Sequence, residues 1–276
     1  MHLIHGETLA KQIRAEVALR VAKLSRIPRL AVLLVGDDAA SHLYVSLKQK
    51  RAEEVGIDME IAKASAAVKT EELISQIQAW NTREDVDGIL VQLPLPEGLD
   101  EDAVIAAIDP KKDVDGFHPE NTKTLFAGEP TLIPPVHEGV LRLIASTPLT
   151  LAGKTAAVIV NSAVFGDPLV RLLKSTGLFV HTMKADELEA QTLRRADVVV
   201  IAVGRAKFLH AGITKKDAVI IDVGTNRDED DVLCGDVDIA TYEPYDAWVT
   251  PVPGGVGPMT IALLLLNVVR VAETRD

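Results

Sequence analysis

Ala156-Ala-Val-Ile-Val160, Asn161-Ser-Ala-Val-Phe-Gly166 and Asp167-Pro168 are, in order, an apolar run, a turn of small and polar residues, and a proline placed to open a helix. Five apolar residues without alternation read as a strand buried on both faces, the pattern of a parallel sheet. Proline suits the first helical position because its missing N–H has no intrahelical partner there. The spacing therefore predicts strand, turn and helix, the place where an open α/β sheet holds the phosphates of a nucleotide. The glycine pattern for that purpose is incomplete. Val160 or Asn161 stands where the first glycine is expected, and only Gly166 remains. Lys184 and Asp186 follow the next strand, Gly177 to Met183. Asp186 suits a ribose hydroxyl and Lys184 a 2′-phosphate, and both suit plain solvation.

The same alternation recurs on either side. Leu30 to Val35, Gly88 to Leu93, Asp197 to Val203 and Ala218 to Val223 are short apolar runs ended by turn residues. Ser41 to Val55 is helical in period and closed by Gly56, and Pro134 to Ala145 reads as another helix. Strand and helix in alternation predict an α/β fold with parallel sheets. Breaks at Ser146-Thr-Pro148 and Leu151-Ala-Gly153, and the Gly/Pro run Pro251 to Pro258, divide the chain. The expected domains are 1–146 plus 259–276, and 147–258, so that a C-terminal helix from Met259 to Ala272 completes the first.

Composition narrows the function classes. With 29 Lys+Arg against 40 Asp+Glu the net charge is -11, which disfavours a nucleic-acid partner. One cysteine, Cys234, cannot form an internal disulfide. The opening MHLIHGETLAKQIRAEV has no basic stretch leading an apolar one. The apolar run Ile261 to Leu266 with Val268 and Val269 falls short of the ~20 residues of a spanning helix. A cytoplasmic protein with no membrane partner is expected.

Three groups of residues carry chemistry. Tyr44 and Lys48 stand four apart on one helix and share a face. Lys48 fits either a lysine at the edge of a buried surface, with lowered proton affinity suited to acid–base work, or an exposed helical lysine. Gln92 interrupts the apolar run before Pro94 and Pro96, where an amide needs a partner and where α/β sheets bind ligands. Lys111-Lys-Asp-Val-Asp-Gly-Phe117 lacks the acidic spacing of a calcium loop; Asp113 and Asp115 suit a turn cap or a heterocycle's N–H groups. Val252-Pro-Gly-Gly-Val-Gly-Pro258 makes a rigid surface poor in side chains, open to a flat ligand or a phosphate.

Taken together, Tyr44-Val-Ser-Leu-Lys48, Asp87-Gly-Ile-Leu-Val-Gln-Leu-Pro-Leu-Pro96, Lys112-Asp-Val-Asp-Gly-Phe117, Ile221-Asp-Val-Gly224 and Thr250-Pro-Val-Pro-Gly-Gly-Val-Gly-Pro-Met-Thr260 resemble the FolD-type bifunctional methylenetetrahydrofolate dehydrogenase/methenyltetrahydrofolate cyclohydrolases. The resemblance spans the chain. It implies a substrate domain made from both termini, a central Rossmann-like domain, a homodimer and no metal. It makes Lys48 the central catalytic residue, with Tyr44, Gln92 and Asp115 beside it in catalysis and substrate binding. It also makes Pro253, Gly254 and Gly255 folate-lining. The cofactor residues would be Val160, Asn161, Ser162, Gly166 and Thr225.

Departures from the family pattern cluster in the cofactor half. Val160, Asn161 and Ser162 replace a usual Gly-Arg-Ser, whose arginine helps bind the NADP 2′-phosphate. Lys184-Ala-Asp-Glu187 replaces a His-Ser-Arg-Thr-like stretch, Pro134-Pro-Val-His137 replaces Pro-Cys-Thr-Pro, and Gly224-Thr-Asn226 replaces Gly-Ile-Asn. Asp167 adds a negative charge near the pyrophosphate position. NADP is the cofactor the resemblance implies, and Asn161 and Val160 open the alternatives of NAD or no cofactor. Three functions follow: a bifunctional enzyme, a cyclohydrolase without its redox step, or a non-catalytic folate-binding homologue.

Overall fold

The computed structural model describes residues 1–276. In chain order the elements are β1 (His2–Leu3), α1 (Gly6–Val21), β2 (Arg29–Val35), α2 (Ala39–Val55), β3 (Asp58–Ala64), α3 (Thr70–Asn81), β4 (Gly88–Val91), α4 (Glu101–Ala106), α5 (Pro119–Ala127) and α6 (Pro135–Ala145). There follow β5 (Thr155–Val160), α7 (Ala163–Ser175), β6 (Phe179–Met183), α8 (Ala190–Leu193), β7 (Val198–Ala202), β8 (Val219–Asp222), β9 (Asn226–Arg227), β10 (Leu233–Cys234), β11 (Trp248–Val249) and α9 (Val256–Glu273). The chain forms two compact units: Lys11–Pro135 with Ile261–Asp276, and Met1–Ala10 with Val136–Thr260.

The first unit is built on a parallel sheet in the order β3-β2-β4. Leu73, Ile77 and Trp80 recur along one stripe of α3 and pack on Ala31, Leu33, Ile89 and Val91. Gly56, at φ 81, ends α2 so that β3 can start at Asp58. The buried Lys112 ammonium donates to the carbonyls of Trp80 (3.1 Å), Asn81 (2.8 Å) and Arg83 (2.6 Å). It thereby ties the C-terminal end of α3 and the turn after it to the strip that follows α4. Ile89 N–H in turn donates to the Lys112 carbonyl at 2.7 Å, laying residues 112–115 along β4. The C-terminal part of α9 closes this unit, Asn267 donating to the carbonyls of Val114 and Ile133 at 3.0 Å each. By length and composition α9 is apolar enough to cross a membrane, yet 72% of that stretch is buried inside the protein.

The second unit holds a six-stranded parallel sheet in the order β1-β11-β8-β7-β5-β6. Strand β5 has β6 on one side and β7 on the other, so the winding reverses between β5 and β7, where such sheets bind ligands. Smaller still, the first sheet repeats this logic, reversing between β2 and β4.

Several boundaries differ from those read in the sequence. The units divide at 135/136 and 260/261 rather than at 146/147 and 258/259, and Met1–Ala10 joins the second unit because β1 pairs with β11. Helix α7 starts at Ala163, which leaves Pro168 inside it. The hydrogen bond that this proline cannot make would go to the carbonyl of Val164, an exposed residue that water can satisfy. Helix α9 starts at Val256, so Gly257 and Pro258 lie in its first turn, where amides need no intrahelical partner. Gln92 follows β4, an outer strand of the three.

Candidate active site

Helix α2 begins where β2 ends. Asp38 caps it, accepting from Ser41 N–H at 2.7 Å, and Val45, Ala52 and Val55 anchor its buried side. This orientation carries Tyr44 and Lys48, both half-buried, toward the carboxyl ends of β2 and β4. The Lys48 ammonium donates to Gln92 Oε1 at 2.7 Å. Gln92 Nε2 donates to the Leu93 carbonyl at 2.7 Å, and Gln92 N–H donates to the Leu33 carbonyl at 2.9 Å. With its NH2 group committed to a carbonyl, the amide can present only its oxygen to the lysine. Burial pulls the Lys48 pKa down, with Asp115 opposing that shift.

Asp115 is held at the end of the strip that runs beside β4. Its neighbour Asp113 is 1% exposed and accepts from Gly116 N–H (3.0 Å), His118 N–H (2.8 Å) and Asn121 Nδ2 (3.0 Å). Asp113 thus shapes the turn, and Asp115 is left to the site. Burial pushes the Asp115 carboxyl up to about 6, against the pull of Lys48. A cavity of about 10 Å3, room for one water, lies among Ile89, Val91, Leu93, Phe117 and Asp115. The structure therefore brings Lys48 and Gln92 into contact, with Asp115 close enough to act on the ammonium. A lysine of lowered proton affinity near a carboxyl of raised proton affinity is an arrangement suited to moving protons.

The remaining residues singled out in the sequence belong to the second unit. Val160 is buried, and a Cβ built on Gly166 would meet its Cγ2 at 2.7 Å. The valine therefore fills the space between β5 and α7 and does not project over the turn. Asn161 and Ser162 are exposed. Ser162 caps α7 without bonding the helix amides through its side chain. An open turn leading into a 13-residue helix turns its first N–H groups outward, apart from the Phe165 backbone, which is hydrogen-bonded with His137, and a helix start of this kind suits a pyrophosphate. Thr225 is exposed beyond β8. Gly254 adopts φ 107, and a Cβ on Gly255 would meet the Pro251 carbonyl oxygen at 2.7 Å, so these positions exclude side chains. Pro253 is exposed beside them.

Two further residues organise the carboxyl end of this sheet and were not legible beforehand. Asp236, fully buried, accepts from the N–H groups of Val203 (2.6 Å), Gly204 (3.3 Å) and Arg205 (2.8 Å) and from Asn226 Nδ2 (2.9 Å). It fixes the loop that leaves β7 at the reversal point. Arg205, on that loop, pairs with Asp186 at 2.7 Å. The one available signal was Gly204-Arg205 directly after an apolar run. His137, in the place of the family's last motif proline, is fully buried in α6 with its ring 4.8 Å from that of Phe165. Burial drives its pKa down to about 4.

Residues 4–115 match the family described as tetrahydrofolate dehydrogenase/cyclohydrolase, catalytic domain, and residues 134–276 the corresponding NAD(P)-binding domain. The chain is 44% identical to the bifunctional protein FolD of Lysinibacillus sphaericus, over 99% of this chain and 98% of that one. Identity to the Geobacillus thermodenitrificans protein of the same name is 46%, over 98% and 97%. Among solved structures, the bifunctional methylenetetrahydrofolate dehydrogenase/cyclohydrolase from Campylobacter jejuni superposes with a TM-score of 0.95 at 36% identity, covering 100% of both chains. The Trypanosoma brucei enzyme, solved with NADP and an inhibitor, gives 0.93 at 31%, covering 99% and 97%.

Proposed function

The chain belongs to the tetrahydrofolate dehydrogenase/cyclohydrolase family, and from that premise we propose that Lys48, held by Gln92 and opposed by Asp115, moves the protons of its hydrolytic step. The chain oxidises 5,10-methylenetetrahydrofolate to 5,10-methenyltetrahydrofolate and hydrolyses that cation to 10-formyltetrahydrofolate. The observation that carries the assignment of Lys48 is its 2.7 Å bond to Gln92 Oε1, on an amide whose NH2 group is turned to the Leu93 carbonyl.

In hydrolysis, water adds to the bridging carbon of the methenyl cation. Neutral Lys48 takes a proton from the added water. As the hydroxyl becomes the formyl carbonyl, the bond from that carbon to N5 breaks, and the ammonium returns a proton to N5. One proton leaves overall, which balances the loss of the substrate's positive charge. Desolvation favours the neutral amine, and Gln92 keeps its nitrogen aimed while carrying no charge to lock the proton in place. Tyr44, one turn earlier on α2, gives the pterin a flat neighbour, and Asp115 accepts from its N–H groups. A nicotinamide dinucleotide, when bound, would supply the two-electron acceptor for the oxidation. Ser162 and the N–H groups of Ala163 and Val164 at the start of α7 would hold its pyrophosphate. The family resemblance also supports a cytoplasmic homodimer.

The test measures methylene oxidation and methenyl hydrolysis by the purified chain and by Lys48→Met. The intact protein should perform both. The variant should lose about 100-fold or more of hydrolysis while still binding folate. Near-normal hydrolysis by the variant would make the lysine structural. Hydrolysis by the intact chain with no oxidation by either nicotinamide cofactor would reduce the activity to a cyclohydrolase alone.

A further inference from the structure

We propose that Asp186, Arg205 and Asn161 form a selector for a dinucleotide whose adenosine ribose carries a free 2′-hydroxyl, so that this chain prefers NAD to NADP. The proposal rests on the reading that the second unit binds a nicotinamide dinucleotide at the β5–α7 turn. It concerns which one.

Beyond that turn the chain forms α7 and returns through β6, whose carboxyl end lies beside that of β5. In nucleotide-binding sheets of this kind an acidic residue about 20 residues past the glycine turn accepts from the ribose hydroxyls. Asp186 occupies that place relative to Gly166. Its carboxylate is exposed, and Arg205 holds it below the usual carboxylate range, so it is ionised at neutral pH. An ionised carboxylate accepts from a vicinal diol through both oxygens and repels a phosphate in the same position.

Nor are the groups that would receive a phosphate available. Asn161 Oδ1 accepts from Ala185 N–H and Asn161 Nδ2 donates to the Val203 carbonyl, each at 3.3 Å. Its amide therefore ties the segment after β6 to the loop after β7. Being neutral, it could not replace a guanidinium. Ala185 has no hydroxyl to offer. Arg205 is a cation in the right neighbourhood, but it is committed at both ends. Its backbone N–H donates to Asp236 at 2.8 Å. Its guanidinium meets Asp186 at 2.7 Å and lies 5.4 Å over the Phe208 ring. Glu187 adds a further exposed negative charge, leaving Lys184 as the local cation outside that pair. A dianionic 2′-phosphate thus meets a carboxylate that repels it and competes with it for the same guanidinium. A hydroxyl meets an acceptor oriented by its arginine.

Calorimetric titration of the purified full chain with oxidised NAD and NADP, without folate, reads this directly. NAD should bind about tenfold or more tightly than NADP, the ratio expected for one charged hydrogen bond gained or lost. Asp186→Asn is an exposed, isosteric change. It should weaken NAD several-fold and tighten NADP, because it removes the repulsion and frees Arg205. Tighter binding of NADP by the intact chain, or an unchanged ratio in Asp186→Asn, would overturn the selector alone. Failure of both cofactors to bind would overturn the dinucleotide reading together with it.

Discussion

Replacing Gln92 by Glu changes one atom type at the point where Lys48 is held, and the structure sets the size of the effect. The new carboxylate oxygen would sit where Gln92 Oε1 now accepts, 2.7 Å from the ammonium. Full unit charges at that distance, with an effective dielectric near 20, attract by about 6 kcal/mol. That is an upper bound, because the carboxylate spreads its charge over two oxygens and loses hydration. Carboxylate–cation neighbours in proteins shift pKa values by about 1–3 units. At a fixed neutral pH the neutral fraction of Lys48 should fall by about 10- to 1000-fold, and hydrolysis with it. The loss should be recovered as pH rises, because a raised pKa displaces the profile to the alkaline side. The assay is the decay of the methenyl cation followed from pH 6 to 10, with folate binding measured alongside. A Gln92→Glu enzyme with full activity and an unshifted profile would refute the claim that a titrating Lys48 limits the reaction. A uniform loss across all pH values would point instead to a structural effect, since the Leu93 carbonyl loses its donor in the same substitution.

Two other outcomes follow from packing and burial. Gly166→Ala should cost about 1–3 kcal/mol in urea melts, because its Cβ meets Val160 Cγ2 at 2.7 Å, and a double variant with Val160→Gly should be less destabilised than the two single losses summed; an additive double variant would show that the two residues do not share the space. His137 has a native pKa of about 4 against an ordinary 6.5, so the native state binds fewer protons than the unfolded chain between those values. Its contribution to stability is complete above pH 6.5 and is lost as pH falls toward 4, by about 3 kcal/mol. Buried Asp222, pushed up to about 7, works in the opposite sense, since its contribution fades as pH rises. The difference between the intact chain and His137→Leu across pH 4 to 7 isolates the histidine, and parallel curves would refute its burial in neutral form.

The sequence made the strands and the face shared by Tyr44 and Lys48 legible because both are local patterns. An apolar run of five residues marks β5 wherever it packs, and a spacing of four fixes two side chains on one helical side. It did not reveal the fate of Val160. Read along the chain, a valine in place of glycine is a damaged phosphate turn; in space its side chain points into the gap above Gly166 and leaves the turn open. Pro168 misled for a related reason. Proline marks a helix start when its lost hydrogen bond would otherwise matter, and here the affected carbonyl belongs to an exposed residue. Asp236 left no sequence signal, since its four donors come from residues 203–205 and 226, brought together by the sheet.

The two halves of the chemistry also differ in how tightly the fold constrains them. Lys48 and Asp115 are displaced from their ordinary proton affinities by burial, so any replacement alters solvation as well as chemistry. Asn161, Asp186 and Arg205 are exposed. Surface substitutions of that kind change stability by about 0.5 kcal/mol or less, while a charge placed on a ligand phosphate changes its affinity several times more. The adenosine end can therefore be rewritten at little cost to the fold, whereas the lysine site cannot. A chain that keeps Lys48, Gln92 and Asp115 while Asn161 and Asp186 depart from the family pattern is what this asymmetry permits, and the proposed change of ribose contact requires no loss of the redox step.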